Sequence, residues 1–308
     1  INPVIGSELR WEEQFKPAAQ PKNVVVVGGG LAGCEAARIA PRKAYFEFEA
    51  QPARMMPYTP SEVSALRSQL PLLYAGWAPP QFENACELGF GQGVSINLHA
   101  SASDVGWWGT DFNPSQAAFA QSLAQGANNI RVSDEAFADF CNRPDLPDFD
   151  FIGLHGIWSW ISDANRAVIV DFLRRKLKVG GVVYVSYNTL PGWSGFAPMR
   201  HLLAKHAEMM SAPGDGSLAR VDKALQFADQ VMQSNPRYGQ VYTQLAERLK
   251  KVASQSREYL AHEYFNRDWA PMYFADVADI LGAAKLTFGC SATHHDHVNA
   301  ANLTAEQQ

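Results

Sequence analysis

One stretch, FENACELGFGQGVSIN at residues 82–97, constrains the fold more than any other part of the chain. It combines an apolar lead-in and a single acid, Glu87, with three glycines at two-residue intervals, Gly89, Gly91 and Gly93. This pattern predicts a buried strand that breaks into a tight turn and opens a helix, because glycine tolerates positive φ and lets the backbone approach a ligand. Unpaired N–H groups at the start of such a helix make the turn a candidate nucleotide site.

The acids around this turn argue against a ligand that carries phosphate. A dinucleotide site usually has G-x-G-x-x-G, so that a pyrophosphate meets the helix N-terminus, whereas Glu87 would repel a phosphate. Asp111 follows the next predicted strand, and the interval (111 − 87 = 24) suits one strand–helix–strand unit. Both carboxylates would then lie at the carboxyl edge of neighbouring parallel strands. A cationic ligand without phosphate fits this arrangement, and S-adenosylmethionine is one.

Composition and charge narrow the class of protein. The chain has 308 residues, 47% hydrophobic and 19% charged, which is enough for a full core and for two domains. A formal net charge of −5 gives no global field that favours nucleic acid. Without a bilayer-length apolar run or a signal-peptide pattern, we expect a cytoplasmic protein with no membrane partner. The cysteines form no metal-type pair and are expected to be reduced: Cys34, Cys86, Cys141 and Cys290.

Residues 1–54 form an N-terminal extension with its own glycine-rich motif. NVVVVGGGLAG is an apolar strand that runs into Gly28, Gly30 and Gly33, a G-x-G-x-x-G in its usual context. Residues 1–53 resemble the start of the flavin- and nicotinamide-binding region of reductases related to Old Yellow Enzyme. A complete dinucleotide domain needs more strands than these residues supply, so we expect the piece to pack on its neighbour or to stay partly loose.

Predicted strands and helices alternate from residue 55 onward. This alternation argues for an α/β fold, a Rossmann-like doubly wound and mostly parallel sheet with both faces covered. We expect a core of this type at residues 55–195 and a mostly helical region at residues 196–308 that returns one strand, 286–292, to the sheet. The first helix, 61–74, should bury Leu70 and Leu73. The further predicted elements are helices at 94–101, 114–125, 163–177, 198–210, 217–233, 242–253 and 272–284 and strands at 105–110, 129–133, 149–154 and 181–187.

Several ordered motifs resemble one known family. They are ACELGFGQG, GTDFNPSQ, VSDEAFADF, LPDFDFIGLHGIWSWIS, RRKLKVGGVVYVSYNTLPGW and YLAHEYFNRDW. In this order they are similar to class I S-adenosylmethionine-dependent methyltransferases that carry a methyltransferase regulatory domain, over about residues 55–308. The resemblance implies S-adenosylmethionine as cofactor and methyl transfer to an unidentified acceptor, a protein side chain or a small molecule. It also implies that the helical region roofs the pocket.

The resemblance assigns cofactor contacts at the carboxyl edge of the sheet. Glu87 would hold the methionine amino group, the Gly89–Gly93 backbone would pass beneath the cofactor, and Asp111 would take both ribose hydroxyls. Asn113 would be a secondary contact, and Asp134, one further unit along the chain (134 − 111 = 23), would receive the adenine amino group. The adenine would be walled by Glu135, Ala136 and Phe137.

Candidate acceptor-side residues follow the next two strands. His155 comes after the fourth predicted strand of the core, and Tyr187 and Asn188 come after the fifth. Methyl transfer from a sulfonium needs alignment of a nucleophile and exclusion of water more than acid–base machinery. We expect His155 to serve as an acid–base group or acceptor contact, with Tyr187 and Asn188 as catalytic-side contacts. The alternative is that these side chains are packed core or lid residues.

Other interpretations remain open. Ser194 in GWSGF, close to His201, suggests an esterase-like hydrolase, although the full G-x-S-x-G elbow is absent. The chain could also bind the cofactor without turnover. The residues 294–297, HHDH, cannot easily converge on one ion, so no metal site is expected. Because the last sheet strand of the family is expected beyond residue 308, an exposed sheet edge could support a homodimer.

Overall fold

The computed structural model describes residues 23–27, 65–212 and 215–304 of the chain. In this part of the chain the strands are β1 (Asn23–Val27), β2 (Asn84–Leu88), β3 (Gly106–Thr110), β4 (Ile130–Ser133), β5 (Phe149–Leu154), β6 (Leu177–Val185) and β7 (Leu286–Ser291). The helices are α1 (Ala65–Tyr74), α2 (Val94–Ser101), α3 (Pro114–Leu123), α4 (Phe137–Phe140), α5 (Asp163–Lys176), α6 (Ala197–Met209), α7 (Ser217–Gln233), α8 (Arg237–Val241), α9 (Leu245–Ala253), α10 (Arg257–Glu263), α11 (Phe274–Gly282) and α12 (Asn299–Asn302). Two short 3-10 segments are Trp158–Trp160 and His294–His297.

The described strands form one parallel sheet in the order β4-β3-β2-β5-β6-β1-β7. From β2 the chain moves outward through β3 to β4 and then returns to β5 on the other side of β2. Open α/β sheets bind ligands in the crevice at such a switch point, outside the carboxyl ends of the strands. The expected α/β, doubly wound architecture is confirmed, and β2 and β5 border its crevice.

Strand β1 lies inside the sheet, between β6 and β7. Its backbone pairs in parallel with β6, where Val24 lies opposite Val182, and with β7, where Val24 lies opposite Thr287. This strand is the part of the N-terminal extension that the structure describes. Gly28, Gly30 and Gly33 lie outside the described residues, and the resemblance to reductases stays a prediction.

Alternating strand side chains build a separate core on each face of the sheet. Face A carries Ala85, Trp107, Phe151, Val182 and Tyr184, packed with Ile96 of α2 and with Ala117 and Ala120 of α3. Face B carries Cys86, Leu88, Ile152, Leu154, Val183 and Val185, packed with Ile169, Phe172 and Leu173 of α5 and with Val277 and Leu281 of α11. Each large apolar side chain buried in this way contributes roughly 1.5–3 kcal/mol.

The buried face of helix α1 differs from the sequence-based prediction. Ala65 and Leu72 are buried, whereas Leu70 and Leu73 are 55% and 57% exposed, so that part of the prediction is wrong. The described part of the helix starts at Ala65, and its buried residues belong to the face A core. Trp77, just after the helix, donates a hydrogen bond from Nε1 to the carbonyl of Gly289 in β7 (3.3 Å).

The helices after β6 enclose a third core of their own. Its buried members come from α6, α7, α9 and α10 and from the turn before α6. This region is tied to the sheet through Met272, whose N–H donates to the carbonyl of Asn188 (3.0 Å) and whose carbonyl accepts from the N–H of Leu190 (2.9 Å). None of the helices in the described part of the chain is long and apolar enough to cross a membrane.

Candidate active site

The turn after β2 has the predicted strand–turn–helix geometry. Glu87 is 1% exposed near the end of β2. Gly89, Gly91 and Gly93 follow with φ of 70°, 58° and 68°, in the left-handed region that favours glycine. The N–H of Gly89 donates to the carbonyl of Thr110 at the end of β3 (2.8 Å). The three-glycine turn is therefore fastened to the neighbouring strand.

The three glycines have different surroundings. A Cβ on Gly89 would lie 2.4 Å from Cγ2 of Ile157, and one on Gly93 would lie 2.4 Å from Cβ of Ala120. A Cβ on Gly91 would meet no described heavy atom within 4 Å. Packing therefore requires glycine at the first and third positions, while the middle glycine borders open space that a ligand can occupy.

Asp111 closes this turn from the end of β3. One carboxylate oxygen, Oδ2, accepts from the N–H of Gly91 (2.9 Å), and Oδ1 accepts from the N–H of Asn113 (2.9 Å). Burial raises the pKa of Asp111, and these two N–H donors oppose the rise. Because an ionised carboxylate has about four lone-pair positions, it can accept two more hydrogen bonds here.

Strand register puts Glu87 and Asp111 on the same face of the sheet. Glu87 lies opposite Gly109, and Asp111 follows two residues later, so alternation turns both carboxylates toward face A. Gly109 is required between them, because a Cβ there would lie 2.8 Å from the carbonyl oxygen of Glu87 and 2.8 Å from Cδ1 of Ile96. The two acids predicted as cofactor contacts are thus brought to one edge and one face.

Asn113 has a structural role in addition to the predicted cofactor contact. Its side-chain oxygen accepts from the N–H groups of Ser115 (3.0 Å) and Gln116 (3.4 Å) and caps helix α3, which opens with Pro114. Asparagine is a favoured N-cap, and proline at the first helical position loses no hydrogen bond. The side-chain oxygen of Asn113 is therefore occupied, and its amide NH₂ is the part that can meet a ligand.

The predicted adenine wall follows β4. Asp134 and Ala136 are exposed at the sheet edge, whereas the carboxylate of Glu135 accepts from Ser133 Oγ (2.8 Å) and from Arg143 (3.1 Å). The backbone N–H of Glu135 also donates to the side chain of Thr110 in β3 (3.1 Å). Glu135 thus anchors this loop, and Asp134 is the acid that it leaves directed to solvent.

His155 lies one strand away from Glu87 and belongs to a polar cluster. Glu87 lies opposite Gly153, two residues before His155, and Gly153 in turn lies opposite Tyr184 of β6. The Nδ1 atom of His155 is 3.1 Å from Tyr184 Oη and 3.2 Å from Ser186 Oγ. Burial lowers the pKa of His155 to about 4, so the imidazole is neutral near neutral pH.

Sequence reasoning missed Tyr184 and Ser186. Both fall within the predicted strand 181–187, at alternate positions near its carboxyl end. The available signal was that these two polar residues share one face of the strand. A fully buried parallel strand is usually apolar on both faces. Their partner, His155, lies about thirty residues earlier and could not be paired with them from periodicity alone.

Tyr187 is not brought together with His155. Tyr187 is buried in the face B core, on the other side of the sheet from the polar cluster. Asn188 contributes backbone contacts, donating its N–H to Ser159 Oγ (2.7 Å) and accepting from the N–H of Met272 (3.0 Å). The sheet therefore separates Tyr187 from His155, and His155 shares a face with Glu87.

Helix α10 adds a residue that sequence reasoning did not single out. Its His262 lies near Trp160, with ring centroids 6.5 Å apart, and Trp160 Nε1 donates to the carbonyl of Glu263 (3.4 Å). The pKa of His262 is raised by a hydrogen bond with the Glu263 carboxylate, and the negative charge of Asp111 adds to the rise. The helical region thus brings a titrating group within electrostatic range of Asp111.

The alternative sites are not assembled in the described part of the chain. Ser194 is exposed, and its hydroxyl makes no hydrogen bond with His201 there. In the HHDH loop, Asp296 accepts from Ser291 Oγ and His297 Nε2 lies 2.9 Å from the carbonyl of Ser291. These loop residues are used to brace the end of β7, and no group of three metal-ligating side chains converges among the described residues.

Comparisons with known proteins give one family model and several relatives of this chain. Residues 256–308 match the family model described as a predicted methyltransferase regulatory domain. An uncharacterised protein of Synechocystis is 44% identical over 253 residues, which are 80% of this chain and 49% of that protein. This chain thus spans about half the length of that relative. A second uncharacterised protein, RP028 of Rickettsia prowazekii, is 28% identical over 205 residues, covering 65% of this chain and 80% of that protein.

The fold also matches solved structures. PKMT2 from Rickettsia typhi, solved in complex with AdoHcy, superposes with a TM-score of 0.59 at 23% sequence identity, covering 73% of this chain and 43% of that chain. A second structure of the same protein gives a TM-score of 0.56. At this level of identity the match establishes a shared Rossmann-like α/β fold.

Proposed function

We propose that this chain binds S-adenosylmethionine at the carboxyl edge of β2 and β3 and transfers the methyl group of the cofactor to an acceptor. The observation that carries the proposal is the Gly89–Gly93 turn closed by Asp111, with open space in front of Gly91. The regulatory-domain match and the AdoHcy complex of the R. typhi protein with the same fold support the choice of cofactor. When bound, this cofactor supplies an electrophilic methyl group on a sulfonium.

The donor and acceptor groups of the site suit such a ligand. Two carboxylates, Glu87 and Asp111, would repel a pyrophosphate but would accept hydrogen bonds from an ammonium group and from a ribose diol. The turn places backbone rather than side chain beside the ligand at Gly91. In this proposal Glu87 binds the amino group, Asp111 binds the ribose hydroxyls, and Asp134, at the end of β4, meets the adenine.

On the acceptor side we assign His155 as the contact to the acceptor. It shares face A with Glu87 and is neutral, so it can orient an acceptor without competing for the sulfonium charge. Methyl transfer gains most of its rate from alignment and exclusion of water. Asn188 remains a candidate contact on the loop after β6, while Tyr187 serves packing. The acceptor is a protein side chain or a small molecule.

Calorimetry with S-adenosylhomocysteine tests cofactor binding. We expect binding by the wild type and an affinity at least about 100-fold lower for Asp111→Ala, because two charge-assisted hydrogen bonds are lost. Asp104→Ala is the matched control, since Asp104 is an exposed aspartate just before the same strand, and it should bind like the wild type. Equal affinity in all three proteins, or no binding by the wild type, would contradict the proposal.

Methyl transfer requires a separate test. Incubation with methyl-labelled S-adenosylmethionine and pools of proteins or small molecules should label an acceptor, and His155→Ala should reduce the labelling without weakening S-adenosylhomocysteine binding by more than about 10-fold. Cofactor binding with no labelled product in any pool would instead identify a binding protein without turnover.

A further inference from the structure

We infer that Ser186 and Tyr184 are positioning residues that hold His155 in the tautomer protonated at Nε2, so that this nitrogen is a hydrogen-bond donor and not an acceptor. That His155 uses this donor toward a ligand rests on the proposed function. The tautomer does not, because it follows from contacts within the chain alone.

The geometry of the cluster fixes which ring nitrogen faces β6. Nδ1 of His155 lies 3.1 Å from Tyr184 Oη and 3.2 Å from Ser186 Oγ, and the imidazole ring stacks on the Tyr184 ring with centroids 5.8 Å apart. Tyr184 lies opposite Gly153 on β5. The distal nitrogen, Nε2, is consequently turned away from β6.

The Ser186 hydroxyl decides the protonation state of Nδ1. Its oxygen accepts from the backbone N–H of Gly156 (2.8 Å), which leaves its own proton to be donated. Nδ1 of His155 lies within hydrogen-bond distance of it, and Ser186 is buried. A buried hydroxyl that donates no hydrogen bond costs free energy. The arrangement of lowest free energy is therefore the one in which the Ser186 hydroxyl donates its proton to Nδ1 of His155. A neutral imidazole that accepts at Nδ1 carries its proton on Nε2.

This assignment changes the role expected of His155. A nitrogen that already carries a proton cannot remove one from an acceptor, so His155 is not a general base in its resting state. At Nε2 the ring can therefore act as a hydrogen-bond donor and not as an acceptor. Burial, which keeps the ring neutral down to a pKa of about 4, preserves this donor across the neutral range.

Nitrogen-15 NMR of the histidine rings in the ligand-free chain tests the inference. The His155 signals are assigned by their absence in His155→Gln, and the two-bond correlations report which nitrogen carries the proton. In the wild type at neutral pH we expect Nε2 protonated and Nδ1 unprotonated. In Ser186→Ala the population protonated at Nδ1 should rise about 3- to 10-fold, the effect of losing one hydrogen bond. Ser186→Thr retains a hydroxyl and should restore the wild-type pattern.

Matched controls separate this role from general packing. Ser122→Ala and Tyr273→Phe remove hydroxyls from exposed parts of the chain and should leave the His155 signals unchanged. Tyr184→Phe should act in the same direction as Ser186→Ala, and if it fails to fold, the two Ser186 variants decide. A wild-type imidazole protonated at Nδ1 or at both nitrogens would overturn the inference, as would an unchanged ratio in Ser186→Ala. Since no cofactor is present, failure of the proposed function would leave these spectra unaffected.

Discussion

Two glycines of the same turn should respond differently to one added methyl group. Gly91→Ala places a side chain in open space, so stability should fall by only about 1–2 kcal/mol for the left-handed backbone. The methyl group would, however, enter the ligand space, and we expect S-adenosylhomocysteine affinity to fall at least about 10-fold. Calorimetry and thermal unfolding together measure both effects.

Gly93→Ala provides the contrast. Its methyl group would lie 2.4 Å from Cβ and 3.3 Å from Cα of Ala120, so overpacking adds about 1–3 kcal/mol to the backbone strain. The larger loss of stability should therefore occur at Gly93. A larger loss at Gly91 would show that the space in front of it is not open in solution.

The pKa of Asp111 predicts how cofactor affinity depends on pH. Burial raises this pKa above the ordinary value of 3.8, so the carboxylate becomes protonated at a higher pH than an exposed aspartate. Protonation removes acceptor positions, and S-adenosylhomocysteine affinity should fall as the pH is lowered from about 8 toward the raised pKa. The free energy of unfolding should change with pH in the opposite direction from the affinity. Because the pKa of Asp111 is raised in the folded state, ionisation of Asp111 lowers the stability as the pH rises through that pKa.

His262→Gln is the control for this measurement, because His262 also titrates near Asp111. The loss of affinity at acid pH should persist in His262→Gln and should be smaller in Asp111→Asn, where the carboxylate of Glu87 still titrates. Loss of the pH dependence in His262→Gln alone would assign the titration to the histidine.

Among the secondary-structure elements, β2 is anchored at its start by a buried carboxylate. Asp150 of β5 accepts from the N–H groups of Glu83 (2.9 Å) and Asn84 (3.0 Å) and pairs with Lys178 (3.0 Å). Asp150→Ala would leave these partly buried donors without their acceptor, and we expect a loss of about 1–3 kcal/mol in the free energy of unfolding. Chemical denaturation measures it. Glu83→Gln, which alters the exposed partner of Lys178, should change stability by less than about 1 kcal/mol.

Some boundaries of helices and strands follow from the local sequence, and others do not. The helix at 94–101 and the strand at 149–154 begin and end as predicted, because each lies between clear turn residues. The predicted helix 242–253 instead begins at Leu245 and is preceded by the separate short helix α8. A tertiary contact holds α8: Tyr238 Oη donates to the distant carbonyl of Gly195 (2.6 Å). No periodicity within the segment could have indicated that bond.

For the whole molecule, β1 is the strand that joins β7 to the rest of the described sheet. Proline at Val25 would remove one of the ladder N–H groups and should weaken pairing on both sides of β1. We expect hydrogen exchange in Leu286–Ser291 to become faster by on the order of 10-fold or more, while Asn84–Leu88 stays protected. Mass-spectrometric exchange measures both peptides. Val25→Ile keeps the N–H and should exchange like the wild type; equal exchange in Val25→Pro would show that β7 does not depend on β1.

The outer strands of the described sheet are β4 and β7. On β4 the side chain of Gln121 donates to the carbonyl of Val132 (3.3 Å), which covers part of that edge. Covering of this kind reduces the tendency of an edge to pair with another chain. A homodimer through a sheet edge stays a prediction.

Sequence alone determined the Glu87–Gly93 turn, the acid at Asp111 and the alternation of strands and helices. These features depend on local physics, namely the φ angles open to glycine, the period of apolar residues and the length of one strand–helix–strand unit. Tertiary structure decided which polar side chains meet. It joined His155 to Tyr184 and Ser186, placed Tyr187 in the opposite core and brought His262 near Asp111. The reason is that strand register couples residues far apart in the chain, and a shift of one residue reverses the face on which every side chain lies.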